Sequence, residues 1–223
     1  MKNITLVIPA KNEKESLPQV LDELKEFNYN IMVVLHSTDI ETIKAIKDYN
    51  VQITYQTKFG YGDALITGIK KTKTEFFCIF NADGSFKPIE IETMFQKIYE
   101  KNSDIIFGSR YSKNGKSDDD TFITLVGNYI FSNLGKLFFN LNINDILYTF
   151  VLGKTKKVND LDIESNDFCF CIELPIKAKK KGMNILEIGC HERARIGGKK
   201  KVNAFKDGFL ILIKMINLFF SRK

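Results

Sequence analysis

The 223-residue chain lacks the marks of several large protein classes. Its four cysteines, Cys78, Cys169, Cys171 and Cys190, include no Cys-x-x-Cys pair. Without paired spacing neither a disulfide framework nor a zinc site is expected, and a reducing compartment fits. No uninterrupted apolar run reaches the roughly 20 residues that a membrane span needs. The first strand begins almost at once, so no signal peptide is expected and the cytosol is the expected compartment. Neither G-x-G-x-x-G after the first strand nor G-x-x-x-x-G-K-[ST] occurs, which disfavours a Rossmann dinucleotide site and a P-loop. No RNP, helix-turn-helix or zinc-finger pattern accompanies the basic residues, so nucleic acid is not an expected partner.

What is present describes one sizeable core with an excess of positive charge. Hydrophobic residues make up 44% and charged residues 27%, ordinary values for a globular chain of this length. The net charge of +6 and a pI near 9.0 favour anionic partners such as nucleotides, phosphates or acidic lipid.

Residues 3–9 read as a buried strand, and Leu17, Val20, Leu21, Leu24 and Phe27 then recur at a helical period. Strands at 31–35, 51–55, 76–80 and 104–110 alternate with helices at 39–49, 64–71 and 89–99. That alternation predicts an α/β fold, a mostly parallel sheet with helices on both faces. Four polar elements fall at strand ends: Lys11-Asn12-Glu13, His36-Ser37, Asn81-Ala82-Asp83 and Ser109-Arg110. Ligands of open α/β sheets lie along that edge. Asn81, Asp83 and Ser85 offer an amide oxygen, a carboxylate and a hydroxyl, hard ligands suited to Mg²⁺ or Mn²⁺. The same residue types also make ordinary turns. Gly60 and Gly62, ahead of Asp63, would let backbone approach a base or phosphate.

The second half has a different texture. Residues 111–120 form a polar, glycine-containing loop, and 121–143 are apolar but interrupted by Asn128, Asn133, Lys136 and Asn140. One or two amphipathic helices packed on the core are expected there, with an interfacial position as the alternative. A helix over 168–181 is weakened by Pro175, and 184–189 reads as a further strand. Residues 191–201 carry five cations, with Arg193 and Arg195 on one face of an extended segment and Gly197-Gly198 behind them. That is a solvated charge run or a phosphate-binding loop. In 204–220 the polar residues Asp207, Lys214 and Asn217 form one stripe on a broad apolar helix, with Ser221 continuing it and a basic flank after it. Lying in a membrane interface is the favoured reading, and packing on the domain or a second subunit the other.

Taken in order, Val7-Ile8-Pro9-Ala10-Lys11-Asn12-Glu13, Gly60-Tyr61-Gly62-Asp63-Ala64, Asn81-Ala82-Asp83-Gly84, Gly108-Ser109-Arg110-Tyr111, Asp145 with Thr149-Phe150, Glu173-Leu174 and Arg195-Ile196-Gly197-Gly198-Lys199-Lys200 resemble glycosyltransferase family 2, in its dolichol-phosphate-mannose-synthase-like branch. The resemblance covers about residues 3 to 208. It implies a GT-A fold, a nucleotide-sugar donor, a divalent metal and inverting transfer to a polyprenyl phosphate or another membrane-bound or surface-glycan acceptor. It divides the chain into a donor half at 1–110, an acceptor half at 111–203 and an amphipathic tail at 204–223.

Carried over by position, Pro9, Asn12, Glu13, His36, Gly60, Gly62, Asp63, Asn81, Ala82 and Asp83 would border the nucleotide-sugar. Asp83, with Asn81 and Ser85, would hold Mg²⁺ or Mn²⁺. Arg110, Asp145, Glu173, Arg193, Arg195 and Lys200 would meet acceptor or phosphate, and Asp83, Arg195 and Lys200 would carry catalysis. Departure of a nucleoside diphosphate develops negative charge, which a metal and basic side chains stabilise. Three positions depart from the family pattern. Leu35-His36 stands where two acidic residues are usual, Asn81 replaces the first metal-motif Asp, and 145–150 lacks a glycine. Leu35, His36 and Asn81 motivate an alternative, a non-catalytic nucleotide-sugar or glycan-lipid binding protein. A nucleotidyltransferase is disfavoured by the basic loop. A peripheral position at the inner face of the cytoplasmic membrane is the expectation.

Overall fold

The computed structural model describes residues 3–197 and 203–221. The first half runs β1 (Ile4–Pro9), α1 (Leu17–Leu24), β2 (Asn30–Leu35), α2 (Ile40–Ala45), β3 (Gln52–Tyr55), α3 (Tyr61–Lys71), β4 (Phe76–Ile79), α4 (Pro88–Glu100) and β5 (Ile105–Ser109). The second half adds β6 (Lys116–Ser117), α5 (Phe122–Phe139), β7 (Val151–Lys154), α6 (Thr155–Asn159), α7 (Phe170–Lys180), β8 (Ile185–Gly189), β9 (His191–Glu192) and α8 (Ala204–Phe220).

The main sheet has seven strands in the order β3-β2-β1-β4-β7-β5-β8, all parallel except β7. Successive side chains point to opposite faces. Ile4, Leu6 and Ile8 therefore join the core under α1 and α4, while Val7 joins the core under α3 and α7. Burial on both faces explains why these strands read as continuous apolar runs. Gly68 brings α3 close to the sheet, because a Cβ there would sit 2.3 Å from Val7 Cγ1. Strand order reverses between β1 and β4, and the crevice at their carboxyl ends is where the first and third polar elements meet.

Three features differ from the sequence expectation. The antiparallel strand β7 sits in the middle of the sheet; its four residues, one a glycine, are too few to show alternation. The 39–49 helix shortens to Ile40–Ala45 and ends in turns. Third, 122–139 is a single helix that is turned inside out. Its polar and small residues Asn128, Ser132 and Gly135 are buried, while Phe122, Tyr129 and Leu137 are 79%, 69% and 75% exposed. The reason is the irregular segment before β7, whose backbone groups need partners once buried. Asn128 donates to the Asn144 carbonyl and accepts from Leu147 N–H, and Ser132 Oγ accepts from Ile146 N–H.

Helix α7 tolerates Pro175 in its interior. Helix α8 docks through Ile211, Met215 and Leu218, each worth about 1.5–3 kcal/mol when fully buried. Its other faces leave Phe205, Phe209, Ile216 and Phe220 exposed. Phe131 lies near Gly208, and Phe138 and Phe139 pack on Phe219, so α5 and α8 run side by side in the same direction.

Candidate active site

A cleft of about 690 Å³ opens at the carboxyl edge of the sheet. One end is polar, lined by Pro9, Lys11, Asn12, Glu13, His36, Asp39 and Gly60; the middle carries Asn81, Ala82, Asp83, Arg110 and Arg195. The far end is walled by Ile123, Val126 and Ile130 of α5 and by Phe205 and Ile211 of α8.

At the polar end Asn12 takes a left-handed backbone (φ 54°) and donates its N–H to Asp39 Oδ2 at 2.7 Å. Asp39 also caps α2 by accepting from Thr42 N–H. Glu13 is held by Ser16 Oγ at 2.7 Å. His36 stacks on Phe59 with ring centroids 4.1 Å apart, an aromatic step at the rim of the cleft. Tyr61 OH meets Thr149 Oγ1 at 2.6 Å and rests on Phe168, fixing the wall beside Asn81. Burial raises the Tyr61 phenol well above its ordinary range, so it stays protonated.

Asp83 Oδ1 accepts from Ser85 N–H at 3.0 Å and Ser85 Oγ at 2.7 Å, which turns Oδ2 toward Arg195. Arg195 NH1 is 3.7 Å from Asp83, and its NH2 donates to Asp119 Oδ2 at 2.7 Å. Burial works against the guanidinium charge, but Asp119, Asp83 and Glu192 outweigh it and raise the pKa. Arg110 forms a bidentate pair with Asp145 at 2.8 Å on both arms and reaches Glu192 at 3.3 Å. Burial opposes that charge too, and the Asp145 pairing dominates.

The structure gathers Pro9, Asn12, Glu13, His36, Gly60, Asn81, Ala82, Asp83, Arg110 and Arg195 around one cleft. It places other expected contacts behind the surface. Asp145 is fully buried under Arg110, and Asp63 is turned to Lys58 N–H. Glu173, also fully buried, pairs with Lys177 and Lys214 and accepts from Ser165 N–H. Arg193 points away to Glu23 and the Phe86 carbonyl. Ser85, 1% exposed, does not line the cleft and instead braces Asp83 through its hydroxyl. Gly60 and Gly62 make room for 165–167, since a Cβ would lie 2.0 Å from Asn166 O and 2.1 Å from Ser165 O. Lys200 lies outside the described residues. Asp119, Asp120 and Glu192 line the cleft unanticipated, because nothing local in the sequence separates them from solvated carboxylates of polar loops.

Asp83, with the Asn81 amide beside it, is a sparse donor set, and no cluster of three His, Cys, Asp or Glu suited to a metal occurs among the described residues. It fits a hard divalent ion whose remaining ligands come from a diphosphate, as Mg²⁺ prefers.

The sequence matches the glycosyl transferase family 2 profile over residues 5–162. The chain belongs to glycosyl transferase family 2. It is 26% identical over 210 residues to an uncharacterised glycosyltransferase of Mycobacterium tuberculosis, covering 94% of each chain. It is 28% identical over 213 residues to the UDP-N-acetylglucosamine–dolichyl-phosphate N-acetylglucosaminyltransferase of Methanococcus voltae, covering 84% of each. The fold matches the glucosyl-3-phosphoglycerate synthase of Mycobacterium tuberculosis, solved with Mn²⁺, uridine diphosphate and glucosyl-3-phosphoglycerate. The TM-score is 0.78 at 10% identity, over 99% of this chain and 81% of that one. This family 2 glycosyltransferase thus has the GT-A fold that the resemblance implied, built on the mostly parallel α/β sheet that its strand alternation predicted.

Proposed function

We propose that this family 2 glycosyltransferase transfers a sugar, with inversion, from a nucleoside-diphosphate sugar to a polyprenyl phosphate at a membrane surface. One observation carries the reading: a single cleft is polar at the sheet edge and apolar where α5 and α8 close it. The Asn12–Asp39 end and the His36–Phe59 step receive the nucleotide. Asp83 with Asn81 holds Mg²⁺ or Mn²⁺, which supplies positive charge to the diphosphate when bound. Arg195 adds hydrogen-bonded positive charge as the leaving group departs. A phosphate acceptor is already ionised, so no side chain need remove its proton.

The apolar wall continues outside the cleft onto the open faces of α5 and α8, which suit the acyl region of a bilayer. In sequence, Lys199, Lys200 and Lys201 precede α8 and Arg222 and Lys223 follow it, placing cations for anionic headgroups. No helix of the described residues is long and apolar enough to cross a membrane. The named acceptor of the Methanococcus voltae relative, a dolichyl phosphate, supports the same acceptor class.

The test pairs thermal shifts of UDP-, GDP-, CMP- and dTDP-sugars, with and without Mn²⁺, with transfer to polyprenyl phosphate in anionic vesicles. A ligand that binds only the native state raises the melting temperature. One nucleotide should give a Mn²⁺-dependent shift and turnover that Asp83→Ala abolishes. Donor binding without transfer to any acceptor would instead favour a binding protein.

A further inference from the structure

Arg195 stands where a cation at Asp83 would stand. Its NH1 is 3.7 Å from Asp83 Oδ2, while NH2 and Nε face Asp119 at 2.7 and 3.5 Å. Asp83 is kept from turning aside, because both Ser85 donors hold its other oxygen. The main chain fixes the same approach. Ile196 N–H bonds the Asp83 carbonyl and Arg193 N–H the Ser85 carbonyl, each at 2.8 Å. The side chain is thus delivered by two backbone bonds and retained by a carboxylate from another loop.

The local charge balance makes this arrangement consequential. Among the described residues, Asp83, Asp119, Asp120 and Glu192 line the middle of the cleft beside two guanidiniums, Arg110 and Arg195, while Lys11 lies with Glu13 and Asp39 at the polar end. Arg110 is spent on Asp145 and Glu192. That leaves Arg195 as the cation facing Asp83 among the described residues. A divalent ion approaching alone meets like charge at short range in a partly desolvated site. A diphosphate arriving with it offers the guanidinium a bidentate partner elsewhere.

We propose that Arg195 and the divalent cation exchange at Asp83. Without donor, Arg195, retained by Asp119, neutralises Asp83; when metal and nucleotide enter together, Arg195 transfers its hydrogen bonds to the diphosphate. Metal alone therefore binds weakly, and metal and nucleotide bind cooperatively. Asp119 is a positioning residue that ties the 111–121 loop to the donor site. The inference rests on the nucleotide-sugar reading above.

The experiment measures Mn²⁺ binding to the full chain by the EPR signal of free Mn²⁺, at constant ionic strength, alone and with UDP or GDP. In the wild type, nucleotide should tighten Mn²⁺ at least about tenfold. Arg195→Gln should tighten Mn²⁺ alone by a similar factor yet weaken the Mn²⁺–nucleotide complex. Arg195→Lys, whose single ammonium cannot span both carboxylates, should move both affinities the same way by less. A general loss of structure would weaken both, so the opposed signs are diagnostic. The proposal is overturned if neither variant tightens Mn²⁺ alone, or if wild-type affinity ignores a nucleotide that binds. If no nucleotide binds the wild type but Arg195→Gln still tightens Mn²⁺, competition between Arg195 and the metal at Asp83 stands, while the transfer to a diphosphate and the donor reading both fail. Should Arg195→Gln fail to fold, Arg195→Lys decides by the same opposed signs, and absent wild-type cooperativity ends the proposal by itself.

Discussion

Ile196 donates its backbone N–H to the Asp83 carbonyl at 2.8 Å, fastening the loop after β9 onto the turn after β4. The two segments are more than a hundred residues apart in sequence, yet together they set the charged centre of the cleft.

Gly84 sits under that junction with φ +79°, and a Cβ there would lie 2.4 Å from Ile196 Cδ1. Gly84→Ala should cost about 1–2 kcal/mol from backbone strain and push the Arg195 loop off Asp83. Urea unfolding and nucleotide thermal shifts would read both effects. Adding Ile196→Ala should restore only part of the stability, since the positive φ remains.

Asn128 makes the inside-out orientation of α5 testable. Asn128→Leu is conservative by shape, but it strands the Asn144 carbonyl and the Leu147 N–H in a buried place. A loss of about 1–3 kcal/mol in urea unfolding is expected. Were α5 seated on an apolar face instead, the same change would stabilise.

The open faces of α5 and α8 should govern vesicle binding. Leu137→Glu and Phe209→Glu, at positions 75% and 63% exposed, should release the protein from anionic vesicles in co-sedimentation. Stability should change by less than about 0.5 kcal/mol, as for most surface substitutions. Unchanged sedimentation of the double variant and of a truncation after Lys206 would reject the membrane surface.

Asp104 gives a pH dependence of defined sign. Burial alone would raise its carboxyl, but hydrogen bonds from Lys157 and Lys154 prevail and bring it to about 2, from an ordinary 3.8. The unfolded chain therefore takes up the proton first as acid is added. The stabilisation, about 2 kcal/mol at most, is complete above about pH 5 and fades as pH falls toward 2. Asp104→Asn should be less stable than wild type near pH 7, with the gap closing in urea titrations near pH 2 to 3.

Local chemistry determined much of this protein. Doubly buried strands advertise themselves as apolar runs, and strand ends must break into polar residues, so β1, β2, β4 and β5 and the residues Asn12, Asn81, Asp83 and Arg110 were legible from spacing alone. Period and polarity also placed α5 and α8 as helices. They did not decide which face turned inward. For α5 the deciding partners are backbone groups of 144–147, and hydrogen-bond demand in a folded segment leaves no periodic trace. Asp119 and Glu192 were silent for a related reason, because a carboxylate in a polar loop looks the same whether it is solvated or clamped on a distant arginine. Sequence fixes what each residue offers, and only the tertiary structure decides which offers are taken, because burial and charge pairing depend on neighbours far away along the chain.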